Sequence, residues 1–184
     1  KITIHAGEWG GAENVMNAIL YLGAERIGHG VRVVEAPEVV TLARERAVPF
    51  EVCITSNYQS GVVPSPTVHP LTRMLNYGLV ATINTDDPGI SGINLAYEFQ
   101  VAAPAAGLSP EMIRLSQQNA LEMAFLTIEE KQTLLRKKLK KLSRNMKKPF
   151  QLIMNLILTI MTAQKQMYLC GRKEIQKVPK KFVK

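Results

Sequence analysis

The sequence predicts an α/β fold built on a parallel sheet, on three observations. Four short β-rich runs alternate with helical stretches at a repeat of about 25–30 residues, the spacing of βα units. Each cluster of polar, chemistry-bearing residues falls just after one of those runs. With 184 residues, 46% of them apolar, the chain is long enough to bury a core.

Taken in order, Ile2-Thr3-Ile4 is a β-rich run ending at His5, followed by the turn Gly7-Glu8-Trp9-Gly10-Gly11. Residues 12–22 place Val15, Ile19 and Leu22 at helical spacing, and Gly23 closes them. Arg26-Ile27-Gly28 is a second strand ending at His29-Gly30, and Pro37 opens a helix through residue 46. Residues 49–55, with Phe50, Val52 and Ile54 alternating, predict a third strand that ends at Ser56-Asn57. A loop over 58–66, a helix over 71–77 and a fourth strand over 79–85 follow, the last ending at Asp86-Asp87-Pro88. Helices dominate from Asn94 onward, one of them opening at Ser109-Pro110-Glu111, where serine caps and proline suits the first turn. A doubly wound sheet fits this rhythm too, but no Gly-x-Gly-x-x-Gly or phosphate-loop pattern follows any strand, which lowers nucleotide-dehydrogenase and ATPase readings.

The net charge of +8 is unevenly placed. Residues 1–135 carry 8 basic and 14 acidic side chains, whereas residues 136–184 carry 15 basic ones and the single acid Glu174. A uniformly basic nucleic-acid-binding domain is therefore a poor reading of the body. Two cysteines, Cys53 and Cys170, make no disulfide framework, so a reducing compartment, the cytoplasm, is expected. The chain starts at Lys1 with no signal-peptide pattern and is expected to be a piece of a longer protein.

The strand ends gather His5 with Glu8, then His29, then Ser56-Asn57, then Asp86-Asp87. These are the residue types of a metal-assisted hydrolase. Imidazole and carboxylate suit a cation such as Zn2+, which makes bound water acidic, while a nearby carboxylate carries protons. Each residue also has a structural reading. A lone His after a strand is commonly a hydrogen-bonded structural group, Glu8 could favour a helix N-terminus, and Asp86-Asp87 could form a turn or cap. His69 before Pro70 is expected to belong to the opening of its helix, Cys53 to packing, and Trp9 at most to a pocket wall.

Together, HAGEWGGAENV (5–15), GAERIGHGVR (23–32), the TSN of 55–57 and NTDDP (84–88) resemble the adenosine deaminase family, from Lys1 to about Lys138. RIGHG (26–30) and GVVPS (61–65) resemble adenosine deaminases more than AMP or adenine deaminases. The resemblance implies a (β/α)8 TIM-type barrel of which residues 1–138 supply the last four βα units, with one Zn2+ at the C-terminal mouth of the strands. It implies His5 and Asp86 as zinc ligands, Glu8 as proton donor to purine N1, and His29 beside the attacking hydroxide, orienting it and accepting or stabilising its charge. Asp87 would accept a hydrogen bond from the purine, and Gly7 or Gly10 would let the ring approach the backbone. The reaction implied is hydrolysis of adenosine or deoxyadenosine to inosine and ammonia, in purine salvage.

Two departures stand out. The family's N-terminal His-x-His pair has no counterpart here, so the chain alone is expected to be inactive, and Ile54 stands where the family usually has Pro. The alternatives are an adenine or AMP deaminase, or a non-catalytic piece acting only through interactions. Residues 139–184 form a basic, partly apolar tail of unknown role. Its run RKKLKKLSRNMKK (136–148) could meet an anionic membrane or RNA, and its apolar stretch over 150–163 is shorter than the roughly 20 residues of a membrane span. A purine nucleoside substrate and no nucleic acid are expected for the body, and the sequence leaves the oligomeric state open.

Overall fold

The fold is given by a computed structural model that describes residues 1–143, with side chains through residue 138. The chain divides into two compact units, Lys1–Phe125 and Leu126–Lys184. The tail beyond residue 143, with its membrane and RNA readings, lies outside the described residues. Among the described residues no helix is long and apolar enough to cross a membrane.

The first unit is a four-stranded parallel sheet in the order β1-β2-β3-β4. The strands are β1 (Thr3–Ala6), β2 (Arg26–His29), β3 (Phe50–Val52) and β4 (Ala81–Ile83). Helices α1 (Ala12–Leu20) and α2 (Pro37–Glu45) make the first two crossovers, and α3 (Ile54–Gln59) with α4 (Leu71–Asn76) the third. Short helices α5 (Pro88–Ser91), α6 (Leu95–Tyr97) and α7 (Ala103–Ala105) lead to α8 (Pro110–Met123), with a π-helical turn at Glu98–Ala102. Sequence-order pairing is what βα crossovers between neighbouring parallel strands produce.

The predicted amphipathic spacing holds at Val15 and Ile19 but not at Leu22, which lies beyond the end of α1 and is exposed. Helix α1 buries Ala12, Val15, Ala18 and Ile19, and α2 buries Val39, Val40 and Ala43. Proline opens α2, and Ser109 Oγ accepts from the Met112 N–H at the start of α8.

The sheet's pleat separates two chemistries. Ile4, Ile27, Phe50 and Ala81 are register partners on the face that packs against the helices. The neighbouring row, His5, Gly28, Glu51 and Thr82, lies on the other face. There Arg26 Nε donates to Thr3 Oγ1 at 3.1 Å and pairs with Glu51 at 3.1 Å. At the β4 edge the Ala81 carbonyl accepts from Ser116 Oγ at 3.1 Å and Asn119 Nδ2 at 2.9 Å, so α8 satisfies a group that an open edge leaves exposed.

Element ends differ from expectation at the first helix, which stops at Leu20, and at the fourth strand, which spans Ala81–Ile83 rather than 79–85, but the largest difference is at the third strand. The third strand ends at Val52 rather than near residue 55, and Ile54–Gln59 is helical, closed by Asn57 N–H donating to the Cys53 carbonyl at 2.9 Å. The alternation Phe50, Val52, Ile54 reads as strand because all three are buried, but Ile54 is buried as the first residue of α3. That first position leaves its N–H without an intrahelical partner, so proline and isoleucine both fit it.

In the second unit the described helix is α9 (Ile128–Ser143). Thr127 and Glu130 form its capping box: the Thr127 N–H donates to Glu130 Oε2 at 2.7 Å and the Glu130 N–H to Thr127 Oγ1 at 3.2 Å.

Candidate active site

All four polar clusters sit at the C-terminal ends of the parallel strands, the edge where α/β folds place ligands. His5 lies in β1, with Glu8 in the turn that follows, and His29 is the last residue of β2. Ser56 and Asn57 lie in α3 just after β3, and Asp86 follows β4.

His29 is the centre of the cluster and only 2% exposed. Its Nε2 lies 3.6 Å from Glu8 Oε2 and 4.0 Å from Asp86 Oδ2. The His5 and His29 rings meet edge-on, centroids 5.0 Å apart at 70°. Potential ligand atoms of His5, Glu8 and His29 lie within 4.8 Å of one another, as do those of His29, Cys53 and Asp86. The predicted ligands His5 and Asp86 thus fall in two overlapping groups that share His29. Imidazole nitrogens and carboxylate oxygens in such groups are donors suited to a borderline divalent cation.

Burial pushes the His29 pKa below the ordinary imidazole value, against the opposing pull of the Glu8 and Asp86 carboxylates. Burial, with Asp86 and Glu98 nearby, pushes the Cys53 thiol far up. Cys53 therefore stays protonated, its Sγ 3.7 Å from the Glu51 carbonyl, and is a poor ligand or nucleophile, as the packing reading expected.

Backbone geometry marks the same positions. His29 and Asp86 have φ of 58° and 57°, left-handed values that non-glycine residues seldom adopt. Such conformations cost about 1–3 kcal/mol each and collect at functional sites. They turn the chain sharply at the ends of β2 and β4, where the two side chains converge. Asp86 is further held by Ser56 Oγ, which donates to its Oδ2 at 2.6 Å.

The other predicted residues are placed more loosely. Asp87 is exposed, and its carbonyl accepts from the Ile90 and Ser91 N–H groups at the start of α5. Gly7 has φ of 66°, and a Cβ there would come 2.5 Å from Val15 Cγ2, so its turn and packing already require glycine. Trp9 is 66% exposed. Gly28 has a more direct link to the site: a Cβ there would stand 2.5 Å from His5 Cδ2 and 2.9 Å from its Nε2. The missing side chain is the space the imidazole occupies.

Two buried groups near these clusters, His69 and Glu98, are missed or placed elsewhere by sequence reasoning, and a third, Asn57, is named there only as part of a strand-end cluster. Asn57 and His69 are hydrogen-bonded to each other, and Asn57 is also bonded to His29. Glu98 is fully buried in the π-helical turn, where its Oε1 accepts from the Thr55 N–H at 3.2 Å. Its Oε2 has no hydrogen-bond partner among the described residues, and burial raises its pKa. One signal for Glu98 was available: it is the lone acid of the largely apolar stretch 95–106.

Residues 1–141 match the adenosine deaminase family. The chain is 52% identical over 134 residues to the adenosine deaminase of Serratia proteamaculans, covering 73% of this chain and 40% of that protein. Among solved structures it is similar to an adenine deaminase from Arthrobacter aurescens, with a TM-score of 0.70, 30% identity, and 77% of this chain and 43% of that one covered. It is also similar to the Arabidopsis N6-mAMP deaminase, with a TM-score of 0.62, 28% identity, and 72% and 39% covered. The chain spans about 40% of the length of the curated relatives it matches. Its four parallel βα units are consistent with part of their barrel, and the match over residues 1–141 shows the family: the chain belongs to the adenosine deaminase family.

Proposed function

We propose that this chain supplies half of a zinc-dependent site for the hydrolytic deamination of adenosine and deoxyadenosine to inosine compounds and ammonia, in cytoplasmic purine salvage. The observation that carries the reading is the convergence of His5, Glu8, His29 and Asp86 at strand ends of one parallel sheet. His5 and Asp86 would hold the zinc ion. When bound, zinc supplies Lewis-acid activation of water at neutral pH.

The chain's own residues divide the remaining work. Glu8 gives a proton to purine N1, which makes C6 electrophilic. Water adds at C6, one of its protons passes to the exocyclic nitrogen, which leaves as ammonia, and the other restores Glu8. His29 orients the attacking oxygen, Ser56 holds the Asp86 carboxylate in place, and Asp87 accepts a hydrogen bond from the purine ring. Gly7 keeps side-chain bulk away from the turn beside Glu8.

Two protein ligands make a weak site, because closed zinc sites owe their affinity to further ligands and their supports. The chain by itself is therefore proposed to be inactive, with activity belonging to a barrel completed by four further strands. Zinc content after dialysis, with turnover of adenosine, adenine and AMP, tests this on the 184-residue chain and on a form extended upstream. Stoichiometric zinc and preferred adenosine turnover are expected only in the extended form. Preference for adenine or AMP would replace the substrate, and stoichiometric zinc with turnover in the short chain would overturn its inactivity.

Gly28→Ala tests the ligand assignment separately. Alanine is tolerated by strand backbone, but its methyl would displace the His5 ring. Zinc affinity of the extended form is expected to fall about 10-fold or more, the scale on which disturbed ligand supports act. Unchanged affinity would remove His5 from the ligand set.

A further inference from the structure

We propose that Asn57 and His69 are positioning residues that lock His29 in the tautomer with its proton on Nε2, so that His29 presents a donor, and no lone pair, to Glu8, Asp86 and whatever binds between them. The proton placement stands on hydrogen bonds and burial; only its consequence for catalysis rests on the deaminase reading.

The argument starts from a group that has no choice. The Leu71 backbone N–H is always a donor, and it meets His69 Nδ1 at 3.1 Å. His69 Nδ1 therefore presents a lone pair. Burial pushes the His69 pKa down to about 4, so the ring is neutral and its one proton sits on Nε2. That N–H faces Asn57 Oδ1 at 3.2 Å and donates to it. With its oxygen so used, the Asn57 carboxamide turns its NH2 toward His29 Nδ1, 3.1 Å away. His29 Nδ1 must then accept, and the proton of the neutral ring lies on Nε2.

The reverse arrangement fails on proton count. Turning the amide over would set its NH2 against His69 Nε2 and demand a lone pair there. Leu71 already demands one at Nδ1, so His69 would have to be an imidazolate, a state no neutral solution supplies. Water does not offer a way out, because His29, Asn57, His69 and Leu71 are each no more than 4% exposed. The Asn57 backbone is fixed as well: its N–H donates to the Cys53 carbonyl and its carbonyl accepts from the Val63 N–H, both at 2.9 Å.

The relay thus carries the direction of one backbone N–H at the start of α4 through α3 to the end of β2. At that end the Nε2–H points toward Glu8 Oε2 and Asp86 Oδ2. A donor there can hold a carboxylate or the attacking oxygen in place. It cannot take a proton from water through Nε2 while the ring is neutral, which leaves Glu8 as the carboxylate placed to move protons.

The test needs no turnover, so an inactive chain and a mistaken tautomer are distinguishable. The 184-residue chain is labelled with 15N-histidine, and long-range 1H–15N spectra are recorded at mildly alkaline pH, where ordinary imidazoles are neutral. Single replacements assign the three histidines. His29 and His69 are each expected as the Nε2–H form alone. Asn57→Asp keeps the shape but can only accept, and is expected to move the His29 proton to Nδ1. His69→Leu frees the amide and is expected to give a mixture of His29 tautomers. An Nδ1–H form or a mixture at His29 in the unaltered chain overturns the proposal, as does an unchanged His29 in Asn57→Asp.

Discussion

In a barrel completed upstream, Glu8→Gln is expected to lower kcat for adenosine deamination about 10²–10⁴-fold, the usual contribution of a positioned general acid. Glutamine keeps the size and hydrogen-bonding of the side chain but has no acidic proton to give to N1. KM and zinc content are expected to hold, since Glu8 is not among the proposed ligands and the interaction it loses belongs to the transition state. Glu13→Gln, an exposed change one turn away on α1, is the control and is expected to leave the rate unchanged. Steady-state kinetics on both variants decide the matter. A loss below about 10-fold would assign proton delivery to another group.

The second large effect is on stability in acid. His69 is 4% exposed and its folded pKa is pushed down by burial to about 4, from 6.5 in the free side chain. Between those values the unfolded chain binds a proton that the folded chain refuses, so stability falls as pH drops through this window and is fully present above 6.5. The loss is roughly 3 kcal/mol, at 1.36 kcal/mol per pKa unit. Urea unfolding at neutral pH and near pH 4, on the chain and on His69→Gln, isolates it. Other groups titrate in both proteins, and His29 acts in the same direction because burial lowers its pKa too. The variant is therefore expected to lose about that much less between the two pH values, though it starts from a lower stability for want of the Leu71 cap. Equal acid sensitivity in the two proteins would show that His69 is solvated or charged in the fold.

The two results would probe different reaches of the same site. Glu8 is in the turn after β1, while His69 is 12 residues beyond Asn57 and is linked to the cluster through it. A chain that keeps its acid-sensitive stability but binds no zinc would separate folding of the half barrel from completion of its metal site.

The sequence by itself determined the βα rhythm, the four strand-end clusters and the family. These are local or linear properties: β-rich runs, helical spacing at Val15 and Ile19, proline at the start of α2 and α8, and motifs carried by neighbouring residues. Only the tertiary structure decided how those clusters are aimed. The left-handed turns at His29 and Asp86 are visible only in the folded chain, since neither residue is the glycine that would mark such a position in the sequence. The helix at Ile54–Gln59 displaced a strand pattern because burial alone does not distinguish the two. His69, taken from sequence as part of its helix opening, does cap Leu71, yet its other nitrogen reaches Asn57 and through it His29, 28 residues further back from Asn57. A hydrogen bond across such a separation exists only when β2, α3 and α4 are packed together, and a linear pattern carries no trace of it.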